Sequence, residues 1–243
     1  MLSKLKITFK DDQKINIRNA TLFHGAIMEI IDKNYAELLH NLSYNPYTQA
    51  LVYNKEEGLY WEITTLGKNA KANIIDKLND DINSILLSHN NIKLEFIEKN
   101  LSTINYDDFI EKYYFKESSR YKRIKFLTPT AFKVNGQYQI YPTVKHIFNS
   151  IINKHDFIQG DTAFYSKEVI EQIEKGVSIV NYNLRSVKFD LEGIRIPSFI
   201  GEVTLKVDGT KQFSSFIETV LQYGVYSGVG IKSSLGMGKI IKL

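Results

Sequence analysis

Apolar side chains in the first half of the chain alternate between the repeat of a strand and the repeat of a helix. Residues 5–10 alternate apolar and polar side chains, which is typical of a half-buried strand. Residues 21–42 carry apolar residues at helical spacing, and Thr21 is a suitable N-cap for that helix. The aromatic and β-branched segments YTQALVYN and LYWEITTL flank KEEG, which predicts a hairpin. A helix over residues 71–87 and a strand over residues 91–104 complete a β-α-β-β-α-β order, the ferredoxin-like pattern.

The second half of the chain repeats these strands and helices less regularly. Its first strands flank the dipeptide Asn135-Gly136, which predicts a tight hairpin turn. Helices are predicted over residues 143–156, 167–176 and 211–224, the last ending at Gly224, with strands over residues 177–191, 198–209 and 238–243. A polar, charged segment over residues 106–123 separates the halves, and we place the boundary near Ser118. The sequence therefore predicts an α+β protein with two tandem domains, residues 1–117 and 118–243.

The composition is that of an ordinary globular protein. Hydrophobic residues make up 43% and charged residues 24% of the chain, which is enough apolar material for a core. No stretch approaches the roughly 20 apolar residues of a membrane helix, and residues 1–12 lack the features of a signal peptide. The chain has no cysteine, which excludes disulfides and thiolate metal sites. We therefore expect a cytoplasmic protein, and its net charge of +4 permits an anionic partner without requiring one.

The end of the chain concentrates four of its 14 glycines within eleven positions, at Gly228, Gly230, Gly236 and Gly238. Glycine lets backbone N–H groups approach a ligand closely, and successive N–H groups can bind an anion. Positive charge and hydroxyl donors come from Lys232, Ser233, Ser234 and Lys239. The loop follows a helix and precedes a strand, so it is neither a Walker loop nor a dinucleotide fingerprint. The pattern indicates a site for phosphate or RNA, with a purely structural loop as the alternative.

The spacing of this glycine-rich loop, G-h-G-x5-G-h-G with h apolar, resembles a family of CRISPR-associated endoribonucleases. These enzymes belong to the RAMP superfamily and process repeat RNA. The segments LFHGAIMEII, AELLHNLSYNPYTQALVY, FLTPTAFKVNGQYQIYP and IPSFIGEVTLKV are similar to further family segments in the same order. The resemblance is strongest to the stand-alone enzymes that serve type III systems. It implies two tandem ferredoxin-like, RRM-like domains, and an enzyme that cuts precursor crRNA once within each repeat without a metal or other cofactor.

Metal-independent RNA cleavage uses the ribose 2′-hydroxyl as its nucleophile and leaves a 2′,3′-cyclic phosphate and a 5′-hydroxyl. Histidine suits the proton transfers and lysine suits the stabilisation of charge. The resemblance places the catalytic histidine in the first helical region, which contains His24 and His40. His40, in AELLHNLS, matches the family segment, and we expect it to be the general acid or base. His24 is the alternative principal catalyst, or it assists or binds RNA, and both approach one cleft if the chain folds back after Asp32.

The remaining histidines have ordinary interpretations. We expect His89 to be solvated in a polar turn, and His146 and His155 to be surface or core residues of a helix. For His24 and His40 too, a structural role is the alternative. Some family members add a tyrosine and a lysine. Here Met28 stands where that tyrosine is expected, no lysine closely follows His40, and Tyr44 and Tyr47 are the nearby candidates.

Candidate RNA contacts lie in the glycine-rich loop and in the basic segment RYKRIK. That segment contains Arg120, Lys122 and Arg123, and it reads equally well as a solvated strand edge. Lys145, Lys154 and Lys188 are further candidates, whereas Tyr60 and Trp61 are expected in the core.

Two other functions stay open from the sequence. One is a non-catalytic RNA-binding subunit of a CRISPR effector complex, and the other is a nucleotide-binding protein that uses the glycine-rich loop. His24 and His40 favour the enzyme. As partners we expect CRISPR repeat RNA, transient association with a type III effector complex, no membrane, and either a monomer or a homodimer.

Overall fold

The computed structural model describes residues 1–10, 15–87, 91–160, 163–191 and 193–243, and its first domain contains one antiparallel sheet. The strands are β1 (Leu2–Phe9), β2 (Tyr47–Asn54), β3 (Gly58–Leu66), β4 (Ser84–Leu87) and β5 (Ile92–Ile104). Their order in the sheet is β2-β3-β1-β5-β4. The strands β2, β3, β1 and β5 have the order of a ferredoxin-like sheet, and β4 extends this sheet by pairing with β5 as a hairpin.

The helices of the first domain cover the apolar face of this sheet. A 3₁₀ turn (Ile17–Asn19) leads into α1 (Ala20–Ile30), followed by α2 (Lys33–Asn41) and by α3, which begins at Lys68–Ala70 and continues as a π-helix over Lys71–Asp81. Alternate β1 residues Leu5, Ile7 and Phe9 pack against buried side chains of these helices around the fully buried Trp61. The helical region breaks at Asp32, which meets the condition for His24 and His40 to approach one cleft. The Asp32 side chain accepts hydrogen bonds from N–H groups of α2.

Two details of the sequence prediction are wrong in this domain. The first helix begins at Ala20 behind Asn19, so Thr21 lies inside it and is not its N-cap. Residues 84–87, predicted as the end of a helix, form β4. Ile85 and Leu87 are buried there while Leu86 is exposed, which is the alternation of a strand.

The second domain has the same topology around a four-stranded sheet. Its strands are β6 (Tyr121–Thr130), β9 (Val177–Leu191), β10 (Ile194–Val207) and β11 (Ile240–Lys242), in the order β11-β6-β10-β9. The helices α5 (Val144–Gln159), α6 (Lys167–Gly176) and α7 (Lys211–Ser227) pack on it. The predicted hairpin is present as β7 (Phe132–Val134) and β8 (Gln137–Gln139), with positive φ at both Asn135 and Gly136. The chain is therefore an α+β protein of two tandem ferredoxin-like domains.

The last helix extends beyond its predicted end. Gly224 does not terminate α7, which continues to Ser227 and ends at Gly228 with a φ of 66°. A Cβ at Gly224 would lie 2.7 Å from the Ile151 side chain of α5. The glycine therefore permits close packing of two helices rather than a stop.

The connection between the domains is the helix α4 (Tyr106–Tyr114). Its buried Phe109 packs in one cluster with Leu2 and Leu66 of the first sheet and with the core of the second domain. The boundary near Ser118 stays a prediction. Among the described residues, no helix combines the length and the apolar character needed to span a membrane.

Candidate active site

His24 and His40 line the same cleft, on the side formed by α1 and α2. The cleft has a volume of about 470 Å³, and residues 230–235 of the glycine-rich loop form another of its walls. Of the four histidines that the structure describes, these two alone line it. The fold thus brings together the two histidines that the sequence singled out and the loop some two hundred residues away.

The direction of each histidine follows from the buried residue that precedes it. Phe23 of α1 and Leu39 of α2 are buried in the first-domain core. Neighbouring positions on a helix point about 100° apart, so the next residue lies at the edge of the buried face. His24 is half-buried and His40 is exposed at the cleft.

His24 is held by Tyr47, the first residue of β2. The Tyr47 Oη lies 2.8 Å from the His24 Nδ1, and the two rings are nearly parallel with centroids 6.4 Å apart. Tyr47 is fully buried, and burial raises the pKa of its hydroxyl far above the ordinary value. Tyr44, the other candidate helper, also lines the cleft and packs edge-on against Phe157.

Lys154 of α5 lies in the wall of the same cleft and is buried. Its Nζ donates hydrogen bonds to the carbonyl oxygens of Ser227 and Gly228 and to the Ser233 Oγ, each at 3.2 Å. Desolvation by burial lowers the pKa of Lys154 to about 7. The sequence suggested only a surface RNA contact here. The signal for a buried site was its spacing, three residues after Ile151 and seven after Ile147 on the apolar stripe of α5.

The glycine-rich loop uses much of its backbone for internal hydrogen bonds. The N–H of Val229 donates to Gly238, that of Gly230 to the Ser150 Oγ, and that of Gly238 to Pro129, at 2.7–3.0 Å. A Cβ at Gly230 would lie 2.3 Å from a carbonyl oxygen, and one at Gly238 2.0 Å from another. The N–H groups of Gly230 and Gly238 are therefore not available to the phosphate cradle predicted from Gly228, Gly230, Gly236 and Gly238, and close packing accounts for these two glycines.

The side chains between the glycine pairs do reach the cleft. Lys232 is exposed at its rim, and Ser233 and Ser234 line it. Ser234 is tied to the first domain, because its Oγ accepts from the Asn45 Nδ2 and its carbonyl oxygen accepts from the Gln49 Nε2, both at 3.2 Å. The loop is thus a contact between the two domains as well as a wall of the site.

Two lysines predicted to contact RNA are buried instead. Lys239 forms an ion pair with Glu62 of the first domain and donates to the Val225 carbonyl at 2.8 Å. Lys122 is fully buried and lies 3.2 Å from the Glu218 carboxylate. Both ammonium groups are thus directed to partners inside the protein and not to an RNA-binding surface, and the RNA contacts predicted for Lys122 and Lys239 have no support from the structure.

The remaining basic residues of the segment, Arg120, Arg123 and Lys125, lie outside the histidine cleft. Arg123 and Lys125 both contact Glu202 on the open face of the second sheet, at 3.2 and 2.9 Å. Arg120 is exposed just before β6, and Lys188 is exposed on β9. Of the other histidines, His155 is buried between Tyr106 and Asp156, and His146 stacks on Phe132. His89 lies outside the described residues.

The fold and the cleft together define a two-domain ferredoxin-like protein with two histidines in a cleft between its domains. Residues 124–240 match the family model of the CRISPR-associated endoribonuclease Cas6. A Cas6 endoribonuclease of Streptococcus thermophilus is 31% identical, covering 98% of this chain and 97% of that relative. Another from Mycobacterium tuberculosis is 32% identical, covering 98% of this chain and 77% of the relative. The chain belongs to the Cas6 family of CRISPR-associated endoribonucleases, which confirms the predicted family and enzyme class.

Solved structures show the same fold over the whole chain. A Cas6 product complex superposes with a TM-score of 0.83 at 20% identity, covering 100% of both chains. This agreement confirms the predicted fold class.

Proposed function

We propose that this protein binds precursor CRISPR RNA and cleaves it within each repeat, in the cleft that holds His24 and His40. The observation that carries the proposal is the convergence of two histidines on one cleft with Lys154, Lys232 and Ser233 in its opposite wall. Membership of the Cas6 family supplies the substrate class, since the relatives are named CRISPR-associated endoribonucleases.

The reaction that suits this cleft needs no metal. The ribose O2′ forms a bond to the adjacent phosphorus while the bond from phosphorus to O5′ breaks. A base accepts the proton of the 2′-hydroxyl, and an acid gives a proton to the leaving O5′. The products carry a 2′,3′-cyclic phosphate and a 5′-hydroxyl.

We assign His40 as the principal proton-transfer group. Its ring is exposed at the cleft, where a bound phosphodiester can reach it, and imidazole exchanges protons near neutral pH. His24 is the second imidazole of the site. Its position is fixed by Tyr47, so it suits a role that depends on orientation.

Positive charge for the phosphorane comes from the opposite wall. Lys232 is exposed at the rim and can approach a phosphate, whereas Lys154 lies deeper beneath Ser233 and supports this wall through its hydrogen bonds. Fixed charges in a partly enclosed site stabilise developing negative charge more strongly than they do in water. Arg120, Arg123 and Lys188 are exposed and stay proposed contacts for more distant parts of the RNA.

Alanine substitution of the two histidines tests the assignment. We expect His40→Ala to lower the single-turnover cleavage rate of the cognate repeat by about a hundredfold or more, while the dissociation constant for the RNA changes little. His24→Ala should also slow cleavage, by a smaller factor. Asn41→Ala is the matched control, because it truncates the exposed neighbour of His40 on α2.

The same experiment separates the enzyme from a non-catalytic RNA-binding subunit. Cleavage by His40→Ala at the wild-type rate would reject the assignment of His40. Tight binding of the repeat without any cleavage by the wild type would favour the binding subunit. Cytoplasmic location, association with a type III effector complex, and the choice between monomer and homodimer stay predictions.

A further inference from the structure

We propose that Lys154 and Ser233 form a proton-coupled phosphate site in the cleft, where the Ser233 hydroxyl donates to a phosphate oxygen of the bound RNA while Lys154 is an ammonium group. Lys154 is a positioning residue, because it acts through Ser233 and does not touch the RNA itself. This inference rests on the proposed function. It adds a specific phosphate contact to that function, and a proton that the protein takes up from solvent when RNA binds.

The first argument is the set of hydrogen-bond partners around the Lys154 side chain. Its Nζ lies 3.2 Å from each of three oxygen atoms, the carbonyl oxygens of Ser227 and Gly228 and the Ser233 Oγ. A carbonyl oxygen can only accept a hydrogen bond, whereas a hydroxyl group can donate or accept one. The hydrogen bond to Ser233 is therefore the one of the three whose direction can reverse.

The protonation state of Lys154 decides the direction of that hydrogen bond. An ammonium group has one N–H for each of the three oxygens, so the Ser233 Oγ accepts and its own proton is available to the cleft, which Ser233 lines. A neutral amine has only two N–H groups, which the two carbonyl oxygens take, and its lone pair then accepts the serine proton. Donation from Ser233 to a phosphate oxygen is thus favoured by the ammonium form.

The second argument is that the cleft holds basic side chains without a carboxylate to balance them. Among the described residues that line it there is no aspartate or glutamate. The titratable side chains in its lining are those of His24, His40, Tyr44, Tyr47, Lys154 and Lys232. Asp156, the neighbour of Lys154 on α5, contacts His155 and accepts from the N–H groups of Phe164 and Tyr165.

Acidic side chains on the elements packed against α5 are paired with other cations. These pairs are Glu218 of α7 with Lys122 and Lys242, Glu174 of α6 with Lys145, and Asp190 of β9 with Arg195. A phosphate in the cleft is therefore the counter-ion that the Lys154 ammonium lacks. Because burial lowers the pKa of Lys154 to about 7, an anion nearby is able to restore its proton at neutral pH.

The test is a pH titration of the lysine side chains by ¹³C NMR, with the Lys154 signal assigned through its bonds to the backbone. Spectra are recorded on the wild-type protein alone and with the cognate repeat, made resistant to cleavage by a 2′-deoxy substitution at the cut. We expect the pKa of Lys154 to be higher in the complex, so that RNA affinity falls by up to about tenfold per pH unit above pH 7. Lys145, exposed on the same helix, is the internal control and should not show this change.

Substitution of the serine tests the phosphate contact. We expect Ser233→Ala to slow single-turnover cleavage of the repeat by about tenfold or more, because it removes a donor to the phosphate. Ser43→Ala is the matched control. Its hydroxyl also lines the cleft but has no hydrogen bond to a lysine among the described residues, so its effect should be smaller.

A Lys154 pKa that is the same with and without RNA overturns the proposal, and so does equal cleavage by Ser233→Ala and Ser43→Ala. The wild-type titration decides even if a variant fails to fold. A complex in which the Lys154 pKa rises but the unmodified repeat is not cut contradicts the proposed cleavage and not this inference. A repeat that does not bind at all contradicts both.

Discussion

Some lysines that the sequence suggested as RNA contacts are buried in the structure. Lys122 lies in the run RYKRIK, which resembles a solvated basic patch. It nevertheless shares one face of β6 with the buried Ile124 and Phe126, because the three residues are spaced two apart. The strand repeat therefore already placed it on the inner face. Lys239 could not be placed in this way, because its partner Glu62 belongs to the other domain.

Lys154 gives a pH-dependent prediction at the residue scale. Burial lowers its pKa to about 7 in the folded protein from an ordinary value of 10.5, so between these values the unfolded chain binds a proton that the folded chain has lost. The free energy of unfolding then rises with pH in this range, with a slope of up to about 1.4 kcal/mol per pH unit. Below pH 7 the cost of the buried ammonium is fully present.

Denaturant unfolding of wild type and Lys154→Met from pH 6 to pH 9 measures this effect. We expect the stability of the wild type to rise relative to that of the variant as the pH increases. Lys145→Met, which removes an exposed ammonium from the same helix, is the control. A difference between wild type and Lys154→Met that stays constant with pH would show that the ammonium is not desolvated.

At the scale of elements, the glycine-rich loop is a packed connection between α7 and β11. Gly238 has a φ of 72°, and a Cβ added there would lie 2.0 Å from the Val229 carbonyl oxygen. A Cβ added at Gly25 in α1 would have no other atom within 4 Å. The two glycines therefore differ in what a methyl group would meet.

We expect Gly238→Ala to lower the free energy of unfolding by more than about 2 kcal/mol. Gly25→Ala should be neutral or raise it by about 0.5–1 kcal/mol, since alanine is the better helix former. Thermal and denaturant unfolding of the two variants measure the contrast. Equal effects of the two substitutions would contradict the packed loop.

Most elements could be predicted from periodicity because their signals are local. The hairpin of β7 and β8 follows from the Asn135-Gly136 turn, and the break between α1 and α2 falls at Asp32, where a fold-back was considered. β4 was missed because four residues are too few to show a period beside a preceding helix. The end of α7 was misplaced because Gly224 is needed for close packing against Ile151, which is distant in sequence.

Part of the candidate site could likewise be predicted from the sequence, and part of it could not. The resemblance located His24 and His40, and the structure brings both to one cleft. Neither composition nor spacing could show that Tyr47 reaches His24 or that Lys154 holds the loop, since these contacts join separate elements. The internal use of the loop N–H groups likewise depends on Pro129 and Ser150 of other elements.

At the scale of the whole molecule, the cleft exists only because the two domains are joined. The first domain supplies both histidines, and the second supplies Lys154 and the glycine-rich loop. Thr48 and Thr64 donate to the Tyr226 carbonyl across this contact, beside the buried pair of Glu62 and Lys239. The relative placement of the domains is therefore part of the proposed catalytic arrangement.

The most direct test of the central claim is cleavage of the repeat from the neighbouring CRISPR array in excess EDTA, with chemical analysis of the product ends. A second RNA carries a single 2′-deoxy substitution at the nucleotide before the cut. We expect full activity in EDTA, a 2′,3′-cyclic phosphate and a 5′-hydroxyl on the products, and no cleavage of the deoxy-substituted RNA. Loss of activity in EDTA, or products with a 3′-hydroxyl and a 5′-phosphate, would contradict the account.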